Sequence, residues 1–302
     1  MLDVRKLLLL RELSRLGTIG AVAEAQFCTP SAVSQQLRAL EREAGVPLIR
    51  RAGRRVELTP AGAELAGRAG PMLALLEQAS AALAAARDEL AGELRIGAFP
   101  TAVRTVLPAA LVTLGAGHPR LELHVIELDP AEVPDALRSG ALDIALVHEY
   151  DYVPAEADPA LATEPLLEET VFLASAAGAL PSPADPIRAC RGRPWIAGSP
   201  GTLCHLMTVR LCQAVGFTPQ IRHYADDFGA VLTLVAAGQG VALVPELALA
   251  DRPPGVELTA LPARRRTLIA CRSGGSGHPA VAACAAALQA AAARFPDIAA
   301  VG

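Results

Sequence analysis

A predicted helix near the N-terminus carries hydrogen-bonding side chains along almost the whole of one side. Gln can pair with adenine through two hydrogen bonds, Arg can pair with guanine or bind phosphate, and Ser can bind either base type. Such a side suits a helix lying in the major groove of duplex DNA, so the pattern predicts a DNA-reading surface. The side consists of Ser31, Ser34, Gln35, Arg38 and Arg42.

The opposite side of the same helix is apolar. Val33, Leu37, Leu40 and Ala44 recur three or four residues apart, the spacing of a helix that packs on a core. Thr29-Pro30 predicts where this helix begins, because Thr caps free N–H groups and Pro at the first helical position gives up a donor that has no partner. Two shorter helices are predicted before it, over residues 4–17 and just after Thr18.

A basic hairpin is predicted next. Residues 46–49 and 56–58 have the pattern of two short strands around a turn at Gly53. The arginines at the tip of this hairpin can contact phosphates or enter a narrow minor groove beside the predicted reading helix. They are Arg50, Arg51, Arg54 and Arg55.

Charge divides the chain in the same place. Residues 1–60 carry a net charge of +4 and the remaining residues −8, which together give −4 for the 302-residue chain. A basic N-terminal segment on an acidic body predicts that the segment meets a polyanion.

A long helix is predicted over residues 61–91, beginning after a second cap-and-proline pair, Thr59-Pro60. Its apolar residues alternate steps of four and three, as a coiled-coil seam does, so we expect a second copy of the chain to pair with it. Gly70-Pro71 should kink this helix or loosen one turn. The seam is Leu65, Ala69, Met72, Leu76, Ala79, Leu83, Ala86 and Leu90.

Strands alternate with helices in the pattern of residues 92–302, which predicts a mainly parallel sheet. Short strands are expected at 169–174 and 266–271, and one helix at 101–115. We expect two lobes, residues 92–165 with 266–302 and residues 166–265, joined by crossings near 163–167 and 260–266. Ligands of such sheets bind where helices begin beyond strand ends.

The pattern does not favour an enzyme. Cys204 and His205 are adjacent, and neighbouring residues of a helix do not face each other, so they do not form a nucleophile with its base. No Gly-rich phosphate loop and no familiar zinc spacing occur in the sequence. We therefore expect no catalytic residue, metal or cofactor.

A cytoplasmic location is expected from the N-terminal pattern. Arg11, Glu12 and Arg15 follow the four leucines at 7–10, so no signal-peptide core is predicted. No apolar run reaches the roughly 18 residues of a membrane span. We expect no membrane partner, and we expect the six cysteines to be reduced.

The N-terminal motif closely resembles the winged helix-turn-helix of LysR-type transcriptional regulators. From Gly17 to Gly62 it reads GTIGAVAEAQFCTPSAVSQQLRALEREAGVPLIRRAGRRVELTPAG, and looser likeness lies in GELRIGAFPTA, ALDIALV and GVALVPELAL. The resemblance implies an α/β chain with an N-terminal winged helix-turn-helix over residues 1–60, a long dimerising linker helix, and a two-lobed effector domain like a periplasmic solute-binding protein. It implies a regulator that senses a small molecule.

The resemblance also implies which residues touch double-stranded DNA. The chain departs from the family where it has Pro30-Ser31 in place of the common Gln-Pro pair, and Gln35 in place of the common Arg, so operator preference does not carry over. The implied DNA contacts are Thr18, Pro30, Ser31, Ser34, Gln35, Arg38, Arg51 and Arg54.

An effector pocket between the lobes is the second implied site. Helix starts at Thr101 and Thr202 offer N–H groups to an anion. Asp226 and Asp227 would repel an anion, so we expect a polar effector or one with a cationic group. The residues that match the pocket rim are Pro100, Thr101, His148, Ser199, Thr202, Asp226 and Asp227.

The resemblance further implies homodimers that pair into homotetramers, and contact with RNA polymerase. Two alternatives remain at this point. One is redox sensing through Cys204 and Cys212, in a region similar to the one that carries the redox pair of peroxide-sensing relatives. The other is a free-standing solute-binding protein, which would leave the basic N-terminal segment unexplained.

Overall fold

The apolar sides of the first three helices meet in one small core. Val33, Leu37 and Leu40 are at most 1% exposed and pack with Leu10 of the first helix. The elements of this head are α1 (Val4–Leu16), α2 (Ile19–Ala25), α3 (Pro30–Ala44), β1 (Ile49–Ala52) and β2 (Arg55–Leu58). The computed structural model describes residues 2–52, 55–86, 90–153, 158–180, 185–250 and 252–294.

Local capping fixes both ends of α3. The Thr29 hydroxyl oxygen accepts a hydrogen bond from the Ala32 N–H at 3.2 Å, and Pro30 is the first helical residue. Gly45 ends the helix at φ +70°, a left-handed conformation that glycine adopts without steric cost. The predicted cap-and-proline start is confirmed.

The linker helix α4 (Pro60–Ala85) leaves the head through a close backbone contact. A Cβ atom on Gly62 would lie 2.0 Å from the carbonyl oxygen of Leu48, so only glycine lets the helix approach the hairpin this closely. The helix continues through Pro71 and ends before residue 91, and residues 87–89 lie outside the described part of the chain.

The predicted seam of α4 divides into two parts. Leu65 and Ala69 pack into the core of the head, against α1, so these two already have a partner within the chain. Met72, Leu76 and Leu83 are exposed. The expectation of one continuous seam is therefore wrong at its first two positions, and the exposed part begins at Met72.

Strands alternate with helices over most of the segment beyond the linker, as predicted, but the sheet is mixed and the expectation of a mainly parallel sheet is wrong. The strands are β3 (Gly92–Ala98), β4 (Leu121–Glu127), β5 (Ile144–Tyr150), β6 (Leu161–Ala176), β7 (Pro194–Ala197), β8 (Gln220–Tyr224), β9 (Val241–Pro245) and β10 (Val256–Arg272). The helices are α5 (Pro100–Arg104), α6 (Val106–Gly117), α7 (Val133–Ser139), α8 (Pro186–Ala189), α9 (Leu203–Ala214), α10 (Phe228–Ala236) and α11 (Pro279–Ala292), with a 3₁₀ turn at Glu246–Leu249.

The strands form one sheet in the order β4-β3-β5-β10-β6-β9-β7-β8. β3 pairs in parallel with β4 and β5 at one end, and β7 pairs in parallel with β8 and β9 at the other. The central pairings, β5 with β10, β10 with β6 and β6 with β9, are antiparallel. We call β3–β5 with α5, α6, α7 and α11 the first lobe, and β7–β9 with α8, α9 and α10 the second lobe.

Two long strands join the lobes. The predicted crossings near 163–167 and 260–266 fall inside β6 and β10, which have 16 and 17 residues. β10 pairs with β5 of the first lobe, and β6 pairs with β9 of the second lobe. The expected short strands at 169–174 and 266–271 are therefore wrong in length. Because the two crossings hydrogen-bond to each other along most of their length, they form a shared floor beneath the lobes.

Helices cover both faces of the sheet. Leu107 of α6 and Leu288 of α11 pack on one face of the first lobe, and Leu137 of α7 packs on the other. Trp195 is fully buried in the second lobe beside α9. The single helix predicted over 101–115 is wrong, because the structure has two helices there, α5 and α6, that meet at Thr105.

The head contacts the first lobe through charged side chains. Glu12 of α1 is 1% exposed and lies between Arg11, Arg15 and Arg138 of α7. Asp135 of α7 also pairs with Arg15, at 2.5 Å. These ion pairs join the head to a helix of the first lobe.

Nowhere in the described residues is there a helix with both the length and the apolar character needed to cross a membrane.

Candidate functional site

The polar side of α3 is open to solvent. Pro30, Ser31, Gln35 and Arg38 are exposed, and Ser34 is half-buried. The apolar side of the same helix packs into the head core. The polar side is therefore free to contact another molecule.

Thr18 stands at the start of α2, beside this surface. It is exposed, and its hydroxyl oxygen accepts a hydrogen bond from the Ala21 N–H at 3.2 Å. The hydroxyl proton stays available to donate, which is what a phosphate contact requires.

The basic hairpin is tied to α3 by one carboxylate. Glu41 accepts hydrogen bonds from the Leu48 and Ile49 N–H groups at 2.9 and 3.0 Å, which fixes the first strand of the hairpin beside the helix. Two predicted contacts of the hairpin are not placed, because Arg54 and the side chain of Arg51 lie outside the described residues.

Phe27 is a surface residue that the sequence pattern did not single out. It lies in the turn between α2 and α3, at φ +49°, with 84% of its surface exposed. An exposed aromatic ring beside a helix that lies in the major groove of DNA can contact the methyl group of thymine. The signal in the sequence was an aromatic residue in a turn directly before the cap of a polar helix.

A cavity of about 320 Å³ lies between the two lobes. Five of the predicted rim residues line it: Pro100, Thr101 and His148 from the first lobe, and Thr202 and Asp226 from the second. Carboxyl ends of strands and the helices that follow them bring these residues together, as expected for an α/β sheet.

The other two predicted rim residues stand beside the cavity. Ser199 donates hydrogen bonds from its backbone N–H and its hydroxyl to the two carboxylate oxygens of Asp226, at 2.7 and 2.6 Å. Asp227 caps α10 by accepting from the Ala230 N–H, and it pairs with Arg104 at 2.7 Å. These two residues support the rim, and neither lines the cavity.

A buried ion pair on the crossing strands forms the floor of the cavity. Arg265 of β10 is 0% exposed, and its Nε lies 2.7 Å from a carboxylate oxygen of Glu169 on β6. Its Nη2 donates to the Thr101 hydroxyl at 3.3 Å, and its guanidinium lies over the Phe99 ring at 5.0 Å. The Nη1 atom has no hydrogen-bond partner among the described residues.

His148 forms the adjoining wall. It is 5% exposed, and neither ring nitrogen has a hydrogen-bond partner in the described part of the chain. Burial, and then the charge of Arg265, hold the pKa of His148 well below its usual 6.5, so the ring is neutral. A second cavity of about 410 Å³, lined in part by Tyr150 and Leu268, lies against the same imidazole.

Cys204 lines the cleft, and its Sγ lies 3.4 Å from the Tyr150 hydroxyl. Burial raises the pKa of the Cys204 thiol, and burial raises the pKa of Cys212 to about 12. The two cysteines lie eight residues apart on α9, about 12 Å along a helix, whereas a disulfide needs Cα atoms within roughly 7 Å. The folded helix therefore does not permit a Cys204–Cys212 disulfide.

The sequence pattern missed the floor of the cleft. Arg265 is the middle one of three consecutive arginines, and in a strand alternate side chains point to opposite faces. That alternation was the available signal, but it did not tell which face is buried. Asp129, which also lines the cavity, follows β4 in a segment without a motif.

One group of potential metal ligands occurs in the described residues, away from the cleft. Glu93 of β3 and Glu122 and His124 of β4 place ligand atoms within 4.8 Å of one another at the edge of the sheet. All three are exposed, and we assign no ion to them.

Comparison with known families matches both parts of the chain. The model described as "Bacterial regulatory helix-turn-helix protein, lysR family" matches residues 4–63, and "LysR substrate binding domain" matches residues 87–293.

Individual relatives agree with these matches. The transcriptional activator IlvY of Salmonella typhimurium is 30% identical and covers 90% of each chain. A probable hydrogen peroxide-inducible genes activator of Mycobacterium xenopi is 41% identical over 51% of this chain and 79% of its own. The solved structure of a cysteine mutant of Corynebacterium glutamicum OxyR has a TM-score of 0.58 at 28% identity, and the match covers 97% of this chain and 92% of that one.

The open polar helix, the two-lobed cleft and these matches agree. The chain belongs to the LysR family of DNA-binding transcription regulators, with a helix-turn-helix head and an effector-binding domain.

Proposed function

We propose that the head binds its operator through the open side of α3. Ser31, Ser34, Gln35 and Arg38 contact base edges and phosphates in the major groove. Thr18 and Pro30 approach the backbone, and Arg51 and Arg54 extend the contact from the hairpin. The observation that carries this proposal is that the polar side of α3 is exposed while its apolar side holds the head together.

Adjacent glutamines provide a matched test. Gln35 and Gln36 are both exposed on α3, but they point in directions about 100° apart. In a gel-shift assay with the DNA upstream of the chain's own gene, Gln35→Ala should change the base preference of binding and Gln36→Ala should not. Arg54→Ala should weaken binding to all sequences and reduce its salt dependence. Unchanged binding by both Gln35→Ala and Arg54→Ala would assign the reading surface elsewhere.

We further propose that a small-molecule effector binds between the lobes. Pro100, Thr101, His148, Thr202 and Asp226 contact it. Ser199 and Asp227 hold the second-lobe rim in place, the first through Asp226 and the second through Arg104. An effector that binds one lobe arrangement better than another shifts the population of that arrangement.

The remaining parts of the proposal concern assembly. The domains are residues 1–60, 61–91 and 92–302, with α4 pairing two copies into a homodimer. Two dimers form a homotetramer in the cytoplasm, and effector binding changes DNA bending and contact with RNA polymerase. We propose no catalytic role, since the relatives compared are named as transcription regulators. The match of residues 4–63 sets aside the alternative of a free-standing solute-binding protein.

Peroxide sensing through Cys204 is the second candidate function. Two observations favour it: Cys204 lines the cleft, and one relative is named as a peroxide-inducible genes activator. Hydrogen peroxide would convert the thiol to a sulfenic acid and release water, with no disulfide to Cys212. Mass spectrometry after peroxide treatment, with Cys204→Ser as the control, tests it. A raised thiol pKa predicts slow oxidation, so the small-molecule proposal ranks first.

A further inference from the structure

The cleft between the lobes has an acidic lining. Four carboxylates border it, those of Glu127, Asp129, Glu132 and Asp226. The cationic side chain that the described residues contribute to the lining is Arg265, and the carboxylate of Glu169 at 2.7 Å already balances its charge. The cavity therefore offers a net negative environment to whatever enters it.

Asp129 is the half-buried member of this set. One of its oxygens accepts a hydrogen bond from the Ala131 N–H at 2.8 Å, and the other has no partner in the described part of the chain. Burial raises the pKa of Asp129, and the charge of Asp226 across the cleft raises it further. A positive group placed between the two carboxylates would remove this repulsion.

Two buried polar side chains face the same cavity without partners. His148 is 5% exposed with both ring nitrogens unpaired, and the fully buried Arg265 has an unpaired Nη1, among the residues described. Buried donors and acceptors are nearly always satisfied, so these atoms call for polar atoms of a ligand. Nη1 needs a hydrogen-bond acceptor, and a neutral imidazole can serve as donor or acceptor.

We propose that the effector is a small organic ammonium compound that also carries an oxygen acceptor. Its ammonium group lies between Asp129 and Asp226, and its oxygen accepts a hydrogen bond from Arg265 Nη1 beside His148. A volume of about 320 Å³ stands at the lower end of the range for ligand sites, which limits the effector to a small molecule. This inference rests on the proposed effector site and assigns its ligand class.

A dicarboxylate fits the same cleft poorly. One carboxylate could reach Arg265, but the second would lie among four residues of its own charge sign, and no further described cation lines the cavity. The cavity volume does not distinguish these ligand classes. The comparison must therefore use ligands with carbon chains of the same length that differ only in charge.

Three five-carbon probes provide that comparison: 5-aminopentanoate, cadaverine and glutarate. With the full-length chain, we expect 5-aminopentanoate to give the largest concentration-dependent rise in Tm, cadaverine a smaller rise, and glutarate none. A larger rise with glutarate than with 5-aminopentanoate, or no rise with either amine, overturns the proposal. This ranking uses the unaltered chain, so it does not depend on any variant folding.

Asp129→Asn tests the ammonium contact directly. Calorimetric titration with 5-aminopentanoate should show affinity reduced about tenfold or more, because a charged hydrogen bond is lost. Glu122→Gln, an exposed carboxylate on β4 outside the cleft, makes the same change of charge and should leave the affinity unchanged. Equal affinities for Asp129→Asn and the unaltered chain overturn the assignment.

A gel-shift assay with the DNA upstream of the chain's own gene distinguishes a wrong ligand class from a wrong operator-reading proposal. If DNA is shifted but the probes rank in the wrong order, the ligand class is wrong and the regulator proposal stands. If the amines bind in the expected order and no DNA is shifted, the operator-reading proposal is wrong and the ligand class stands.

Discussion

Glu12 of the head lies 3.9 Å from the Nε of Arg138 in the first lobe, and both side chains are buried. Arg11 and Arg15 hold the two oxygens of the same carboxylate at 2.9 and 2.8 Å, and Asp158 pairs with Arg138 from the other side. Arg138 belongs to α7, and Pro134 of that helix lines the second cavity. The head is therefore held against an element that borders a cavity of the effector domain.

Replacing Glu12 by Gln should destabilise the chain. The change removes the negative charge that three guanidinium groups share, and Arg138 stays buried. We expect a loss of about 2–3 kcal/mol in the free energy of unfolding, measured by urea denaturation. Glu64→Gln is the matched control, because it removes the partner of Arg68 in an exposed pair on α4 and should change stability little. Equal losses in the two variants would show that the Glu12 cluster does not hold the head in place.

Arg265→Met should have a larger effect than Arg264→Met. The first change leaves the Glu169 carboxylate buried without its cation, whereas the side chain of Arg264 is half exposed. We expect a loss of about 3–5 kcal/mol for Arg265→Met. The double variant Arg265→Met with Glu169→Met should recover part of it, since no charge is then left buried. A double variant less stable than Arg265→Met would mean that the pair does not act as an isolated ionic contact.

The structure of the head could be predicted from the sequence more completely than that of the cleft. The caps at Thr29 and Thr59 and the apolar side of α3 are local patterns, and they were confirmed. The full length of β6 and β10 was not predicted, because these two strands are stabilised by pairing with each other and their residues lie far apart in the sequence. A pattern read along the chain does not contain that pairing. The burial of Arg265 has the same cause: its partner Glu169 lies 96 residues away. In α4, the first two residues of the predicted seam pack against α1 within the same chain. Periodicity shows that a helix side is apolar but not which element covers it.

Acidification should weaken the fold through His148. In the folded chain the pKa of this buried imidazole lies well below 6.5, so the unfolded state takes up a proton first as the pH falls. The contribution of His148 is thus fully present above pH 6.5 and declines below it, by about 1.4 kcal/mol per pH unit until the folded pKa is reached.

His148→Asn removes this titration. Between pH 7.5 and 5.5 the free energy of unfolding of the unaltered chain should fall by up to about 1.4 kcal/mol more than that of the variant. Above pH 7.5 the difference between the two should be constant. Denaturation curves at pH 7.5, 6.5 and 5.5 measure both quantities, and parallel pH profiles would show that the pKa of His148 is the same in the folded and unfolded chains.

The exposed part of α4 should control dimer formation. Met72, Leu76 and Leu83 lie on the predicted seam, and 74% of Leu83 is exposed in a single chain. A second α4 would bury these side chains, and each fully buried leucine contributes about 1.5–3 kcal/mol. Combining Leu76→Glu with Leu83→Glu should therefore remove the pairing of two α4 helices and lower the assembly mass measured by sedimentation equilibrium. The loss of stability within a single chain should be small, because both positions are exposed there. Gln78→Glu adds a charge to the same helix away from the seam and should leave the dimer intact. A double variant that still sediments as the unaltered chain does would place the dimer contact outside α4.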